Sequence, residues 1–199
     1  MKNKVVGLAG NFNQPSRTYQ LTEEIVNRTA HAFDLDSMVY NLSALGQSFP
    51  IAQSVQDLDE QAQIIIKEII EAEILVISVP TWNAGYPGMF KHLFDLIPPD
   101  SLRAKPMILA ATGGSERHAL MIEYQVRPLF HYFKACPVNT SIFVTRDDWS
   151  EHKLTAELNM RIDNAVSEIN LLHSLQGSLE FIKMKSLNLS INFYQKCHL

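Results

Sequence analysis

Cysteine is nearly absent from this chain of 199 residues: the two present, Cys136 and Cys197, lie far apart and lack CxxC spacing. That argues against a disulfide scaffold and against a thiolate metal site. Long apolar runs are missing too. No stretch approaches the ~20 residues needed to span a bilayer, and the apolar segment Val5 to Ala9 is too short for the hydrophobic part of a signal peptide. Charge of one sign is not in excess: 17 Lys and Arg stand against 21 Asp and Glu, a formal net charge of -4 spread along the chain. There is no basic stripe for nucleic acid, and little of the negative field common in small electron carriers. Internal repeats, low-complexity tracts and interdomain linkers are also lacking. The expectation is one globular domain in a reducing cytoplasm, over 1–176, with 177–199 as an extension of mixed signals.

What is present alternates between two periodicities. Val5-Val6-Gly7-Leu8-Ala9 reads as a strand buried on both faces. Leu21, Ile25, Thr29 and Phe33 at helical spacing predict a helix over roughly 16–33. Met38-Val39-Tyr40 is a weak second strand, and 43–56 is a polar connection without a period. Leu58, Ala62, Ile65, Ile69 and Ala72 predict a second helix, with Glu68, Glu71 and Glu73 on its solvated face and end. Ile74 to Val79 is the clearest strand, stopped by Pro80, and Phe90, Leu93, Phe94 and Ile97 form a short helix ended by Pro98-Pro99. Pro106 to Ala111 is a fourth strand, followed by a helix of about 17 residues. Ser141 to Val144 is the fifth strand, and Leu154, Leu158, Ile162, Ala165, Ile169 and Leu172 make the last helix. This order predicts an α/β fold with a doubly wound parallel sheet covered on both faces.

Ligands of such sheets bind beyond the carboxyl ends of the strands, and three loops on that edge carry unusual chemistry. The first, Gly10 to Thr18, contains Asn11, Ser16, Arg17 and Thr18 but no carboxylate, and it leads into a helix. Helix N-terminal amides, hydroxyls and a guanidinium suit a phosphate, although Ser16 is equally read as a helix cap. Neither GxxxxGK[ST] nor GxGxxG occurs, so the phosphate would belong to a mononucleotide. The second loop, Pro80-Thr81-Trp82-Asn83-Ala84-Gly85-Tyr86-Pro87-Gly88, offers aromatic faces and amides to a flat ring, or else its aromatics plug the core. The third, Thr112-Gly113-Gly114-Ser115, can present backbone N–H groups to a ligand, or be a tight turn capped by Ser115. Each loop alone is a weak signal; three on one edge point to a ligand.

The residues Pro15 to Thr18, Pro80 through Lys91 with Asp95-Leu96, Ala111 through His118, and Tyr124 to Leu129 resemble the NAD(P)H-dependent FMN reductases of the flavodoxin-like superfamily. Among these the chain is most similar to the sulfonate-utilisation flavin reductases of two-component monooxygenase systems. The resemblance implies a flavodoxin-like sheet of order 2-1-3-4-5. It implies FMN and NADPH or NADH as cofactors, a homodimer or homotetramer, and delivery of reduced FMN to a partner monooxygenase. It places the FMN phosphate at Ser16, Arg17 and Thr18 beside Asn11. Pro80, Thr81, Trp82, Asn83 and Gly85 would line the ring or ribityl chain, and Thr112, Gly113, Gly114 and Ser115 the pyrimidine edge. The family often has Ser in place of Asn11, Arg in place of Asn13 and Tyr in place of Trp82, so one charge-assisted phosphate contact is missing here.

Competing readings are an FMN-retaining quinone or azo reductase, a flavodoxin-type electron carrier and a cofactor-free binding module. The carrier's usual Thr/Ser-x-Thr-Gly-Asn/Thr loop is absent after the first strand. Hydride transfer itself needs no acid–base side chain, so no catalytic residue is assigned. The seven histidines show no metal-ligand spacing, and His92, His131, His152 and His173 are read as structural or surface residues. His118 borders the third loop, and Arg117 is read as solvated surface. Pro128 inside a predicted helix implies either a kink or π-bulge near Tyr124 to Pro128, which the resemblance places at a subunit interface where it would contribute to oligomer packing, or a simple break between two short helices.

Overall fold

Each apolar run that the sequence places next to an amphipathic segment becomes a strand of one parallel sheet. The computed structural model describes residues 3–150 and 153–172. Its elements are β1 (Lys4–Ala9), α1 (Arg17–Phe33), β2 (Asp36–Asn41), α2 (Glu60–Glu71), β3 (Ile74–Pro80), α3 (Gly88–Leu96) and β4 (Pro106–Thr112). A π-helix (Ile122–Val126), α4 (Arg127–Tyr132), β5 (Cys136–Pro137), β6 (Ile142–Val144), the β7 (Trp149–Ser150) and β8 (Lys153–Leu154) hairpin and a final helix α5 over 156–172 complete it. The sheet order is β2-β1-β3-β4-β5, with β6 also paired to β4. Every pairing in this sheet is parallel, the expected 2-1-3-4-5 arrangement. The extension over 177–199 lies outside the described residues, as do His152 and His173.

Alternation along the strands splits the core in two. Val6, Leu8, Leu75, Ile77 and Leu109 face α2, α3 and α4, where Ile65, Ile69, Phe90, Phe94 and Phe130 pack. Val5, Val76, Ile108 and Ile142 face α1 and α5, meeting Leu21, Ile25, Ile162 and Ile169. Gly7 sits where α1 presses closest, since a Cβ there would lie 2.6 Å from Val26 Cγ2 and 2.7 Å from Thr22 Cγ2. Strand and helix backbones approach because that position has no side chain. β2 is the exposed edge, with Asp36, Ser37 and Met38 all open to solvent, which explains its weak apolar signal.

Three expectations need correction. The fifth strand is split: β5 pairs with the start of β4 and β6 with its end. Pro137 lacks the N–H that a continuous ladder needs. The helix of about 17 residues after the third loop is instead a 3₁₀ turn (Glu116–His118), the π-helix and the short α4. Pro128 cannot donate to the preceding turn, so the hydrogen-bond pattern resets there, and the π-bulge alternative is the one the chain adopts. Leu154 belongs to the hairpin before α5, not to the helix.

The π-helix is fastened to the linker between β5 and β6 by Arg127, whose side chain is 14% exposed. Its Nε and Nη2 donate to the Glu123 carboxylate at 2.5 and 3.1 Å, while Nη1 donates to Val138 O at 2.8 Å and Nη2 to Asn139 O at 3.2 Å.

Glu68 is not merely part of a solvated face. It accepts from Lys4 Nζ at 2.7 Å and from the Tyr40 hydroxyl, joining α2 to β1 and β2. The Lys4 and Tyr40 hydrogen bonds hold its carboxyl below the usual range against opposing burial, and burial with the Glu68 charge raises the Tyr40 phenol. A depressed carboxyl stabilises the fold above its unfolded pKa and ceases to do so as pH falls through the folded one. Glu68→Gln is therefore expected to lose stability relative to wild type at pH 7, and that deficit is expected to shrink as pH falls from about 4 through the lowered folded pKa. Urea unfolding across this range checks this; a pH-independent difference contradicts it.

Candidate functional site

The carboxyl ends of β1, β3 and β4 are neighbours in the sheet, and hydrogen bonds tie together the loops that leave them. Gly10 N–H donates to Ser78 O at 2.7 Å and Thr81 N–H to Thr112 O at 2.7 Å. The Thr18 and Thr112 hydroxyls lie 2.7 Å apart, joining the start of α1 to the end of β4. The first, second and third loops thus form one rim, at the point where the strand order reverses.

In the first loop Ser16 is the N-cap of α1, and its Oγ accepts the Tyr19 N–H at 3.2 Å. Capping uses the oxygen as an acceptor and leaves its hydroxyl proton available, so the cap and anion-site readings are compatible. The first turn of α1 contains no acidic residue, which leaves the positive end of the helix uncompensated. Arg17 is exposed beside it, and Thr18 is buried. Buried Asn11 donates one amide hydrogen to Asn13 O at 2.8 Å, and its Oδ1 is buried without a partner among the described residues.

The second loop is a two-residue hairpin. Trp82 N–H donates to Gly85 O at 2.8 Å and Gly85 N–H to Trp82 O at 3.0 Å. Asn83 (φ 48°) and Ala84 (φ 67°) both adopt the left-handed conformation that a type I′ turn requires. The two aromatic residues separate: Tyr86 packs edge-on against Phe90, 5.5 Å between centroids, whereas Trp82 is 50% exposed. Tyr86 therefore plugs the core and Trp82 is the open ring. Pro80 is buried at the end of β3, and the Thr81 hydroxyl is buried with no partner among the described residues.

In the third loop the two glycines do different things. The Gly113 N–H, expected to face a ligand, donates to Val144 O at 2.9 Å. A Cβ at Gly113 would lie 2.5 Å from Phe143 Cζ, so this glycine serves the close approach of β6. Gly114 has nothing within 4 Å of its Cβ position and stands open. Ser115 caps the 3₁₀ turn, accepting from Arg117 N–H at 3.4 Å. Phe143 and Gln125 also border the rim; both contacts are made across long sequence separations that carry no local signal. His92 is structural, its ring nitrogen 3.0 Å from Phe49 O. Among the described residues no cluster of His, Cys, Asp or Glu could hold a metal ion.

Two cavities, of about 610 and 470 Å³, lie along the seam between α1 and α5 rather than on the rim. The larger is lined by Glu23 and Glu24 as well as Trp149 and Asn159, and its carboxylates would repel a phosphate.

A family model for NADPH-dependent FMN reductases matches residues 3–150, a stretch that contains all three loops. The chain belongs to this family. The reductase is 36% identical over 154 residues to the NADH-dependent FMN reductase SfnF of Pseudomonas fluorescens, covering 77% of this chain and 82% of that one. It is 33% identical over 179 residues to the NADH-dependent FMN reductase SfnE of Pseudomonas putida, covering 87% and 96%. An oxidoreductase of known structure from Corynebacterium diphtheriae superposes with a TM-score of 0.77 at 30% identity, covering 86% of this chain and 96% of that one. The protein is thus an oxidoreductase of flavodoxin-like fold that works with FMN and a reduced nicotinamide nucleotide.

Proposed function

We propose that the reductase grips FMN along the rim and releases it in reduced form to a partner monooxygenase. The residues present fit the group: the rim combines an acid-free helix N-terminus, two orphaned buried polar atoms (Asn11 Oδ1 and Thr81 Oγ1) and a half-exposed indole. Those orphaned atoms carry the reading, because buried polar atoms without partners are costly unless a ligand satisfies them.

In this arrangement the amides at the start of α1, with Ser16, Arg17 and Thr18, hold the phosphate. Asn11 and Thr81 meet polar groups of the ribityl chain. Trp82 and Asn83 flank the ring from the hairpin with Pro80 and Gly85, while Thr112, Gly113, Gly114 and Ser115 bound its pyrimidine edge. FMN, when bound, supplies the ring that accepts hydride from NADH or NADPH. The protein orients the ring, keeps carboxylates away from the phosphate and leaves one side of the cleft open, so that nucleotide and flavin can exchange. No protonating side chain is assigned.

We also assign exposed Leu120 in the turn before the π-helix, Tyr124 on that helix and Tyr132 at the end of α4 to packing between copies in a homodimer or homotetramer, and the enzyme to the cytoplasm, with the reductase domain ending near residue 176. Among the described residues no helix is long and apolar enough to cross a membrane. Steady-state oxidation of NADH and NADPH, with FMN omitted or in excess, tests the function. Oxidation that depends on added FMN is expected. A protein purified yellow with turnover driven by quinone, or no nicotinamide oxidation at all, contradicts it.

A further inference from the structure

The Trp82 hairpin contains a strained residue. Ala84 sits at φ 67° with no glycine's freedom, and such a conformation persists only where its surroundings hold it. Besides the Trp82–Gly85 backbone pair, a hold comes from the π-helix. Gln125 Nε2 donates to the Ala84 carbonyl at 3.1 Å, and Gln125 Oε1 lies 2.7 Å from where a Cβ on Gly85 would be. The extra residue of the π-turn presents this amide while Ile122 and Val126 stay fully buried and Tyr124 points outward, 76% exposed. Gly85 is thus the residue that admits the Gln125 side chain against the hairpin.

We propose that Gln125 is a positioning residue for flavin binding: by pinning the Ala84 carbonyl, it holds the Trp82 hairpin in the one geometry that receives the ring. This rests on the assignment of the rim to FMN. Gln125 acts through the hairpin and not on the flavin, so relieving the strain by another route replaces it. Glycine at position 84 does so, because Asn-Gly is the favoured pair for a type I′ turn.

The test is FMN titration by flavin fluorescence quenching, together with hydrogen exchange of the flavin-free protein across residues 82–85. Gln125→Met, which keeps the length and loses the amide, is expected to weaken FMN binding about fivefold. It should also speed exchange of the Trp82 and Gly85 amides, with the melting temperature unchanged. Adding Ala84→Gly to that variant is expected to restore both affinity and protection. Wild-type affinity and exchange in Gln125→Met overturn the proposal. So does failure of Ala84→Gly to restore binding once exchange is slow again, because Gln125 would then touch the flavin itself. Ser16→Asp, titrated alongside, separates this from the parent reading: if it binds FMN normally, the rim assignment falls and the role of Gln125 falls with it.

Discussion

Ser16→Asp is expected to weaken FMN binding roughly 100-fold while leaving the melting temperature unchanged. The two halves of this result come from two roles of one atom. As N-cap, Ser16 Oγ accepts the Tyr19 N–H, and aspartate caps a helix as well as serine does. As phosphate ligand, the hydroxyl is a donor facing the positive end of α1, where no other carboxylate stands. Aspartate replaces that donor with a charge of the same sign as the phosphate. At contact distance and partial exposure the repulsion and the lost hydrogen bond come to about 3 kcal/mol. Flavin fluorescence quenching measures the first half and thermal unfolding by circular dichroism the second. Unchanged affinity would remove the first loop from the site, and the rim assignment with it.

Arg127→Met is expected to destabilise the fold by about 3 kcal/mol, lowering the melting temperature by about 6–12 °C. Methionine keeps much of the aliphatic stem, so the loss isolates the guanidinium. That group answers the Glu123 carboxylate and the Val138 and Asn139 carbonyls at once. Without it, Glu123 loses the partner that holds its carboxyl below the usual range, and the linker between β5 and β6 loses its anchor to the π-helix. Because β6 supplies Val144 O to Gly113 N–H, the third loop should loosen as well. A melting temperature within about 2 °C of wild type would show that the network is solvated and contributes little.

The parts of the fold legible in the sequence were those governed by local periodicity. β1, β3 and β4 are continuous apolar runs because both sheet faces are covered, and α1 and α2 show their buried stripes plainly. What escaped was decided by non-local contacts. Cys136–Pro137 is too short to give a strand pattern and becomes one only beside Pro106 and Met107. The break in the predicted long helix depends on where Pro128 interrupts donation, which the sequence flags without fixing the outcome. At the site, the acid-free loop and its helix cap were readable. The type I′ turn at Asn83-Ala84 was not, because alanine there lacks the glycine that normally announces it. The use of Gly113 N–H by β6, the Thr18–Thr112 pair and the Gln125 contact all join residues distant in sequence.

Soaking crystals of the protein with FMN addresses the binding claim most directly. The account predicts the phosphate at the N-terminus of α1, within hydrogen-bond reach of Ser16, and the ring beside Trp82 with Asn11 Oδ1 and Thr81 Oγ1 newly partnered. A nucleotide lodged in the seam between α1 and α5, with the rim empty, would contradict it.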